Sequence, residues 1–214
     1  MLNTLRNALS IALILIFSVS CSDDSSESTK EAAGLIGTTE FILKDSTNLS
    51  FDGTTLKGSG SAVAKLPADE IAGEKNFQLS FTLDEGGSLE LAAFTNESML
   101  KGVGIKFSRT GENLKVELKN NDATLDISAA FSEVVASELI SVHFDVHNGE
   151  TPAHIIGWTS ATPDPDTSNS KFDSERDEAD FGAFSGKGTG TYWGLILQSS
   201  QVTQAEPREV KFED

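Results

Sequence analysis

The sequence predicts an all-β protein in which two antiparallel sheets pack face to face, as a sandwich or jelly roll. Three observations predict this class: apolar residues recur with a period of two, turn signals separate these runs at even intervals, and no long helical pattern occurs. Side chains along a strand alternate between the two faces of its sheet, so an alternating strand buries one face. Two such sheets therefore have to cover each other.

The alternating runs begin with apolar residues 11 to 15 positions apart, at 77, 89, 103, 114, 125 and 140. Turn-forming residues fall between several of them, at 85–87, 110–113 and 120–122. This spacing predicts antiparallel hairpins rather than βαβ units. Asn148-Gly149 predicts a tight turn that pairs residues 139–147 with about 151–158, and a short helix is expected only within 131–138.

The first 20 residues predict a signal peptide. Arg6 precedes the apolar run 11–17, and the small residues Ser18-Val19-Ser20 lead to Cys21. A basic start, a brief apolar stretch and small residues at the exit are typical of secretory signals, and this run is too short to cross a bilayer as a helix.

Cys21 is the chain's single cysteine, and the sequence around it resembles a bacterial lipoprotein signal. In that family the cysteine receives a thioether-linked diacylglyceryl group and becomes the mature N-terminus. Ser18 stands where the family usually has an aliphatic residue, and Ser18 with Ser20 also fits ordinary signal peptidase, which would release a secreted protein with a free thiol. We favour lipidation because it consumes this otherwise reactive group.

The mature chain divides into a tether and one domain. Residues 21–37 are rich in Ser, Asp and Glu and predict a flexible spacer with a span on the order of 20 Å. Residues 38–214 have the length of a single β-sandwich domain. By the lipoprotein resemblance, Ser22 in place of an aspartate directly after Cys21 favours the bacterial outer membrane.

Charge restricts the partners of this chain. Residues 21–214 carry 15 basic and 33 acidic residues, a net formal charge of −18. Such a field repels nucleic acid and anionic lipid headgroups, so we expect no nucleic-acid partner and membrane attachment through the lipid alone. With one cysteine the domain has no intramolecular disulfide, and its stability depends on packing or on a bound ion.

Over about residues 47–212 the chain resembles the laminin-G and concanavalin-like jelly rolls. The stretches that carry the resemblance are 49–53, 77–83, 140–146 and 193–197. Members of that group bind glycans or proteins, often with calcium, and some hydrolyse polysaccharides, so the resemblance implies a binding domain that can hold calcium. An immunoglobulin-like sandwich is the alternative, disfavoured because the chain offers more strands than the about seven to nine of that fold.

The function that the sequence favours is a non-catalytic binding module for a glycan or a protein. A sugar ring stacks well on Trp or Tyr, and the chain offers Trp158, Tyr192 and Trp193. Trp193 is in phase with apolar Leu195 and is expected in the core, which leaves Tyr192 and Trp158 as candidate ligand-binding residues. The alternative is a structural or protein-interaction lipoprotein without a small ligand.

His143, Asp145 and His147 are further ligand-binding candidates. At alternate positions they project from one face of a strand, about 6.5 to 7 Å apart along it. Imidazole and carboxylate ligands suit zinc. A polar row on a solvated sheet face is the commoner arrangement of such residues.

The long connection between Trp158 and Tyr192 contains a candidate calcium loop. Oxygen-bearing residues occupy positions 1, 3, 5, 7 and 12 of the calcium-loop template, at Asp164, Asp166, Ser168, Ser170 and Glu175. Asn169 replaces the glycine of that template and Lys171 replaces an apolar residue. A solvated acidic loop without calcium is therefore the default interpretation.

Glycan hydrolysis is the less favoured alternative. Jelly-roll glycanases place two acids on one strand as Glu-x-Asp-x-x-Glu, and the nearest string here is residues 175–180, with Asp180 in the last position. Arg176 and Glu178 replace the apolar residues that would anchor such a strand. Because an unburied carboxyl lacks the raised pKa of a general acid, we expect no enzyme activity.

Lipid attachment at Cys21 is directly testable in bacterial cells. We expect Cys21→Ala to lose all palmitate labelling, because the mutant lacks the sulfur that carries the lipid, whereas the neighbouring Ser26→Ala keeps it. The measurement is metabolic labelling followed by membrane fractionation. A labelled Cys21→Ala protein would contradict the assignment.

Overall fold

The computed structural model describes residues 32–44, 47–67, 74–99, 102–120, 124–149, 152–159 and 167–208. Within these ranges the chain forms twelve strands: β1 (Ala33–Ile36), β2 (Thr39–Leu43), β3 (Asn48–Asp52), β4 (Thr55–Lys65), β5 (Glu74–Thr95), β6 (Val103–Thr110), β7 (Asn113–Lys119), β8 (Thr124–Asp126), β9 (Ile140–His147), β10 (His154–Thr159), β11 (Phe172–Asp173) and β12 (Tyr192–Arg208). A one-turn helix, α1 (Glu178–Phe181), and 3₁₀ turns at Ser128–Phe131 and Thr167–Asn169 complete the described elements.

All strand pairs are antiparallel. The main path runs β1-β2-β4-β12-β5-β6-β7-β8, with β3 on β4, and with β9 joining β5 to β10 and β11. The last strand in the chain, β12, therefore lies between β4 and β5.

The two layers of the sandwich arise because long strands bend and contribute to both. The first half of β5 pairs with β9 and its second half with β6, while β12 follows the other side of β5 through both halves. The second half of β5 and the first half of β12 form the first layer with β1, β2, β6, β7 and β8. The other halves form the second layer with β3, β9, β10 and β11, and β4 contributes to both layers. The predicted class, an all-β antiparallel two-sheet sandwich of jelly-roll type, is confirmed.

Aromatic side chains fill the space between the layers. Phe107 of the first layer lies 4.9 Å from Phe81 and 5.9 Å from Phe144, measured between ring centroids. Trp193, also of the first layer, lies 5.4 Å from Phe77 of the second. All five rings are fully buried, which confirms the expected core position of Trp193. Phe suits such a core because it needs no hydrogen-bond partner.

The predicted turn at residues 85–87 is instead a bend within one continuous strand. Gly86 has a φ of +74°, and a side chain on Gly87 would collide with the backbone oxygen of Ser199. Ser199 itself lies at a φ of 46°, where the β12 register shifts. The two strands therefore bend together and stay paired on both sides of the bend.

The predicted pairing of residues 139–147 with about 151–158 is confirmed, since β9 and β10 are antiparallel neighbours. The two-residue turn expected at Asn148-Gly149 is wrong, because His147 pairs with His154 and residues 148–153 connect the two strands. The Asn148 amide accepts a hydrogen bond from the Gly188 N–H at 2.7 Å and donates one to the Gly188 carbonyl at 2.9 Å. The Asn148 amide thus hydrogen-bonds to a segment 40 residues further along the chain.

The helix expected within 131–138 is limited, among the described residues, to the 3₁₀ turn that ends at Phe131.

The folded domain begins earlier than the sequence predicts. Strand β1 lies inside residues 21–37, the expected tether, and Ile36 is fully buried. Gly37, at a φ of +60°, turns the chain into β2. The N-terminal boundary of the folded domain therefore lies no later than Ala33.

The expected signal peptide and Cys21 lie outside the described residues. No helix of the described part is long and apolar enough to span a bilayer.

Packing between the layers predicts a large effect at Phe144, which contacts Phe107 and Phe131. We expect Phe144→Ala to lower the free energy of unfolding by roughly 3–5 kcal/mol, because it leaves a cavity in the core. Denaturant titration followed by circular dichroism measures this. Leu139, 61% exposed, is the control, and Leu139→Ala should cost less than about 0.5 kcal/mol. Equal losses in the two variants would contradict the assigned core.

Candidate functional site

A cleft of about 490 Å³ opens where β4 ends and β12 begins. Both ends of β12 line it, Tyr192 from the first layer and Pro207 from the second. Because β12 bends between the layers, its two ends meet at one end of the sandwich. Lys65, Glu40 and Glu97 also line the cleft. Its volume falls within the range typical of small-ligand pockets.

A β-bulge holds Tyr192 at this cleft. Tyr192 pairs with Thr95, and the two residues 93–94 then oppose Trp193 alone. Phe94 adopts a φ of 49°, and its carbonyl accepts a hydrogen bond from the Gly190 N–H at 2.8 Å. Trp193 points into the core and half-buried Tyr192 points the other way, as the sequence predicts. Bulges commonly re-aim side chains in this manner.

The rim of the cleft carries fixed charges. Lys44 Nζ lies 2.8 Å from Glu97 Oε1. The hydrogen bond from Lys44, followed by its charge, holds the pKa of the exposed Glu97 carboxyl below its usual range. Thr38 and Thr39 add hydroxyl groups to the lining. Hydrogen-bond acceptors, a lysine and one aromatic ring thus surround the same space.

The other aromatic candidate, Trp158, is not available for stacking. It is 0% exposed, and its Nε1 donates a hydrogen bond to Asn169 Oδ1 at 3.0 Å. The sequence prediction for Trp158 as a ligand platform is therefore wrong in this conformation. Neither Trp158 nor the row formed by His143, Asp145 and His147 lines the Tyr192 cleft.

His143, Asp145 and His147 lie on the outer face of the second layer. They alternate with fully buried Val142, Phe144 and Val146, as predicted from the sequence. The expected solvation of the row is wrong, since His143 is 8% and Asp145 3% exposed. Within the described ranges, no group of three or more His, Cys, Asp or Glu side chains is placed to hold a metal ion. The zinc hypothesis gains no support from this geometry.

Two histidine–carboxylate pairs stand side by side at the end of β9 and the start of β10. His147 Nε2 lies 2.8 Å from Asp145 Oδ2, and His154 Nε2 lies 2.9 Å from Asp173 Oδ1. The two imidazole rings meet edge to face at 5.2 Å. No local pattern in the sequence marks His154 and Asp173, because their pairing depends on the β9–β10 register and on the pairing of β11 with β10.

Hydrogen bonds stabilise the ionised form of Asp173. Burial favours the neutral acid, but this effect is outweighed by hydrogen bonds from His154 and from the backbone N–H groups of Arg176 and Glu175, and the pKa of Asp173 is lowered. Those N–H groups lie 3.2 and 3.0 Å from Asp173 Oδ1. Asp173 therefore anchors the turn that follows β11.

The calcium loop is only partly within the described residues. Asp164 and Asp166 lie outside them, while Ser168 and Glu175 are exposed. Ser170 Oγ accepts a hydrogen bond from Arg176 Nη1 at 2.8 Å, and the Ser170 carbonyl lies 3.4 Å from Arg176 Nη2. Arg176 thus contacts both oxygens of Ser170, the residue expected at the seventh position of the calcium loop. Calcium binding by this loop stays a prediction.

The acidic string 175–180 does not form a strand. It runs through a turn into α1. Arg176 donates hydrogen bonds to both carboxyl oxygens of Asp177, from Nε to Oδ1 at 2.7 Å and from Nη2 to Oδ2 at 2.8 Å. The hydrogen bond from Arg176 lowers the pKa of Asp177 against the opposing effect of burial. A general acid needs the opposite shift. The string therefore lacks the strand geometry of a glycanase acid pair, and its central carboxyl, Asp177, is held in the ionised form.

Comparison with solved structures shows a likeness in fold. The fold is similar to that of a carbohydrate binding module, CBM66, from Bacillus subtilis, with 9% sequence identity, 84% of this chain and 92% of that chain covered, and a TM-score of 0.38. No protein-family model matches the sequence, and no curated protein matches it. A likeness of this degree assigns no ligand to the chain.

The lowered pKa of Asp173 predicts a specific pH dependence of stability. Its carboxylate contributes above the ordinary value of 3.8, and the contribution is lost as the pH falls through the lower folded-state pKa. We expect Asp173→Asn to cost roughly 1–3 kcal/mol at about pH 5 and clearly less at about pH 2.5, by denaturant titration. Exposed Asp180→Asn is the control. A cost that is the same at both pH values would contradict the prediction.

Proposed function

We propose that this protein is a lipid-anchored envelope protein of the bacterial outer membrane, whose β-sandwich domain binds a glycan or protein ligand without catalysing a reaction. Cys21 is the proposed anchor. The observation that carries the binding function is the Tyr192 cleft, where a half-buried aromatic ring stands beside carboxylates and hydroxyls.

The chemistry of the cleft favours a glycan. A sugar ring presents an apolar face to an aromatic side chain and hydroxyl groups to polar neighbours, and this combination of an aromatic surface with a few placed polar groups is typical of ligand pockets. Glu40 and Glu97 supply acceptors, and Lys65 supplies donors. A protein side chain with the same mixture of apolar and polar surface is the other ligand class.

A binding role without catalysis agrees with the carboxylates that the structure describes. Asp173 and Asp177, the two best-anchored acids of the connection before β12, both have lowered pKa values. Acids of this kind stay ionised and act as hydrogen-bond acceptors at neutral pH. Calcium at Asp164, Asp166, Ser168, Ser170 and Glu175 remains part of the proposal as an optional ion.

Removal of the Tyr192 ring tests the glycan assignment. On a glycan array we expect the mature domain to bind a defined set of sugars and Tyr192→Ala to weaken that binding about tenfold, since the stacking surface is lost. Tyr192→Phe is the matched control and keeps most of the affinity because it keeps the ring. Parallel arrays with millimolar calcium and with a chelator test the ion.

If the wild-type domain binds no glycan on the array, the proposed glycan binding is overturned. A defined partner on cross-linking in intact cells, together with that result, would favour the alternative, a structural or protein-interaction lipoprotein. Binding that survives unchanged in Tyr192→Ala would remove the cleft from the proposal.

A further inference from the structure

One row of paired residues crosses the outer face of the first layer from β2 to β7. The strand register places its members side by side on adjacent strands: Ile42, Val63, Gly194, Ala92, Gly104 and Lys119. Paired residues of antiparallel strands share a face, and each of these residues directly follows a core residue in the chain, so the row faces outward. Neighbouring strands are about 4.8 Å apart, which makes the row about 24 Å long.

Two cavities open on this row. Ile42 and Val63, at one end of the row, belong to the lining of the Tyr192 cleft. A second cavity of about 160 Å³, which we call the Lys119 pocket, lies at the other end. Its lining includes Glu90, Ala92, Met99, Gly104, Lys119 and Asn120. Both cavities therefore open on the same face of the same layer.

Met99 lies between the two cavities. Its sulfur contacts Gly194, which stands in the row between Val63 of the cleft and Ala92 of the Lys119 pocket. A Cβ on Gly194 would collide with Met99 Sδ, so the sulfur rests directly on the backbone of β12. The ridge that divides the cavities is therefore low, and it is formed by a thioether chain that adapts readily to a neighbouring molecule.

The Lys119 pocket offers hydrogen-bond donors and acceptors without a net charge. Lys119 Nζ lies 2.9 Å from Glu90 Oε2. An ammonium has three donors and a carboxylate has two acceptor oxygens, so both groups can bind ligand hydroxyls while they remain paired. Gly104 keeps the floor of the pocket low, since a Cβ there would lie 3.0 Å from Glu90 Oε1. Glycine inside a strand often marks the place where a ligand approaches the backbone.

We infer that the Tyr192 cleft and the Lys119 pocket are two subsites of one site, which binds a linear, uncharged oligosaccharide across the strands of the first layer. One ring stacks on Tyr192, the chain passes over Met99, and a later ring enters the Lys119 pocket. A sugar ring with its linkage extends as far as one strand spacing, so the row accommodates about four rings. The acidic chain disfavours an anionic sugar.

This inference rests on the proposed glycan-binding function and specifies the ligand as a chain rather than a single sugar. The Lys119 pocket, at about 160 Å³, is smaller than the pockets that usually hold a complete ligand, whereas the cleft at about 490 Å³ is within their range. The pocket thus suits an additional ring of a ligand that is already held in the cleft. Affinity should then depend on chain length.

The probes are linear β-1,4-linked oligosaccharides of glucose, mannose and N-acetylglucosamine with one to six rings, titrated into the mature protein by calorimetry. In at least one series we expect the affinity to rise about tenfold between two and four rings and to stop rising beyond about five. Lys119→Ala and Gly104→Val should each remove this gain and leave two-ring binding unchanged. Tyr192→Ala should weaken binding at every length.

Matched controls lie on the same face of β6 but line neither cavity. Lys106→Ala is the control for Lys119→Ala, and Ser108→Val is the control for Gly104→Val. Both controls should keep the gain with chain length. Melting temperatures confirm that each variant is folded, and if Gly104→Val does not fold, Lys119→Ala decides alone.

The outcomes separate this inference from the proposed function. Equal affinity for all chain lengths, with binding weakened in Tyr192→Ala, overturns the extended site and leaves the cleft in place. A gain with chain length that persists in folded Lys119→Ala and Gly104→Val also overturns it. A wild-type protein that binds none of the three series overturns the inference, while the glycan array decides the proposed function separately.

Discussion

The pairing of β5 with β12 through a shared bend is the constraint on which this fold depends. In a sandwich of two separate sheets, only side-chain packing sets one layer against the other. Here backbone hydrogen bonds run through both layers, because each of these two strands contributes a half to each layer. The bend requires unusual backbone at Gly86 and Ser199 and leaves no room for a side chain on Gly87. The Phe-rich core then fills the space between the two layers, whose relative position is set by the backbone pairing of β5 with β12.

The positions of the candidate sites follow from the same bend. It brings both ends of β12 to one end of the sandwich, where Tyr192 and Pro207 line the cleft. It also leaves the first half of β5 paired with β9, and this pairing places Asn76 and Gln78 beside Asp145 and His143, although the two strands are distant in sequence. The Tyr192 cleft thus stands largely on strands rather than on loops, and such a site holds its geometry with little reorganisation.

Period-two alternation was sufficient to predict most of the strands from β5 onward, the class of fold and the direction of Tyr192, Trp193 and the His143 row, because these properties depend on local sequence. One failure is local, since β1 lies inside the expected tether and pairs with the neighbouring β2. The others involve partners that are distant in sequence. The glycines at positions 86 and 87 suit a turn and a bend equally, and pairing with β12 decides between them. Asn148 has the chemistry of a tight turn, but Gly188 engages its amide. Trp158 is buried and donates a hydrogen bond to Asn169, and the Asp173–His154 pair needs β11 beside β10. None of these contacts leaves a periodic signal in the sequence.

The central place of β12 has a consequence for how the protein matures. Every other strand precedes β12 in the chain, so the seam between β4 and β5 stays open until the last strand arrives. Pairing of such long range makes folding slow and late. Strands β4 and β5 each keep an edge with unpaired backbone groups until residues 192–208 have been synthesised and inserted between them.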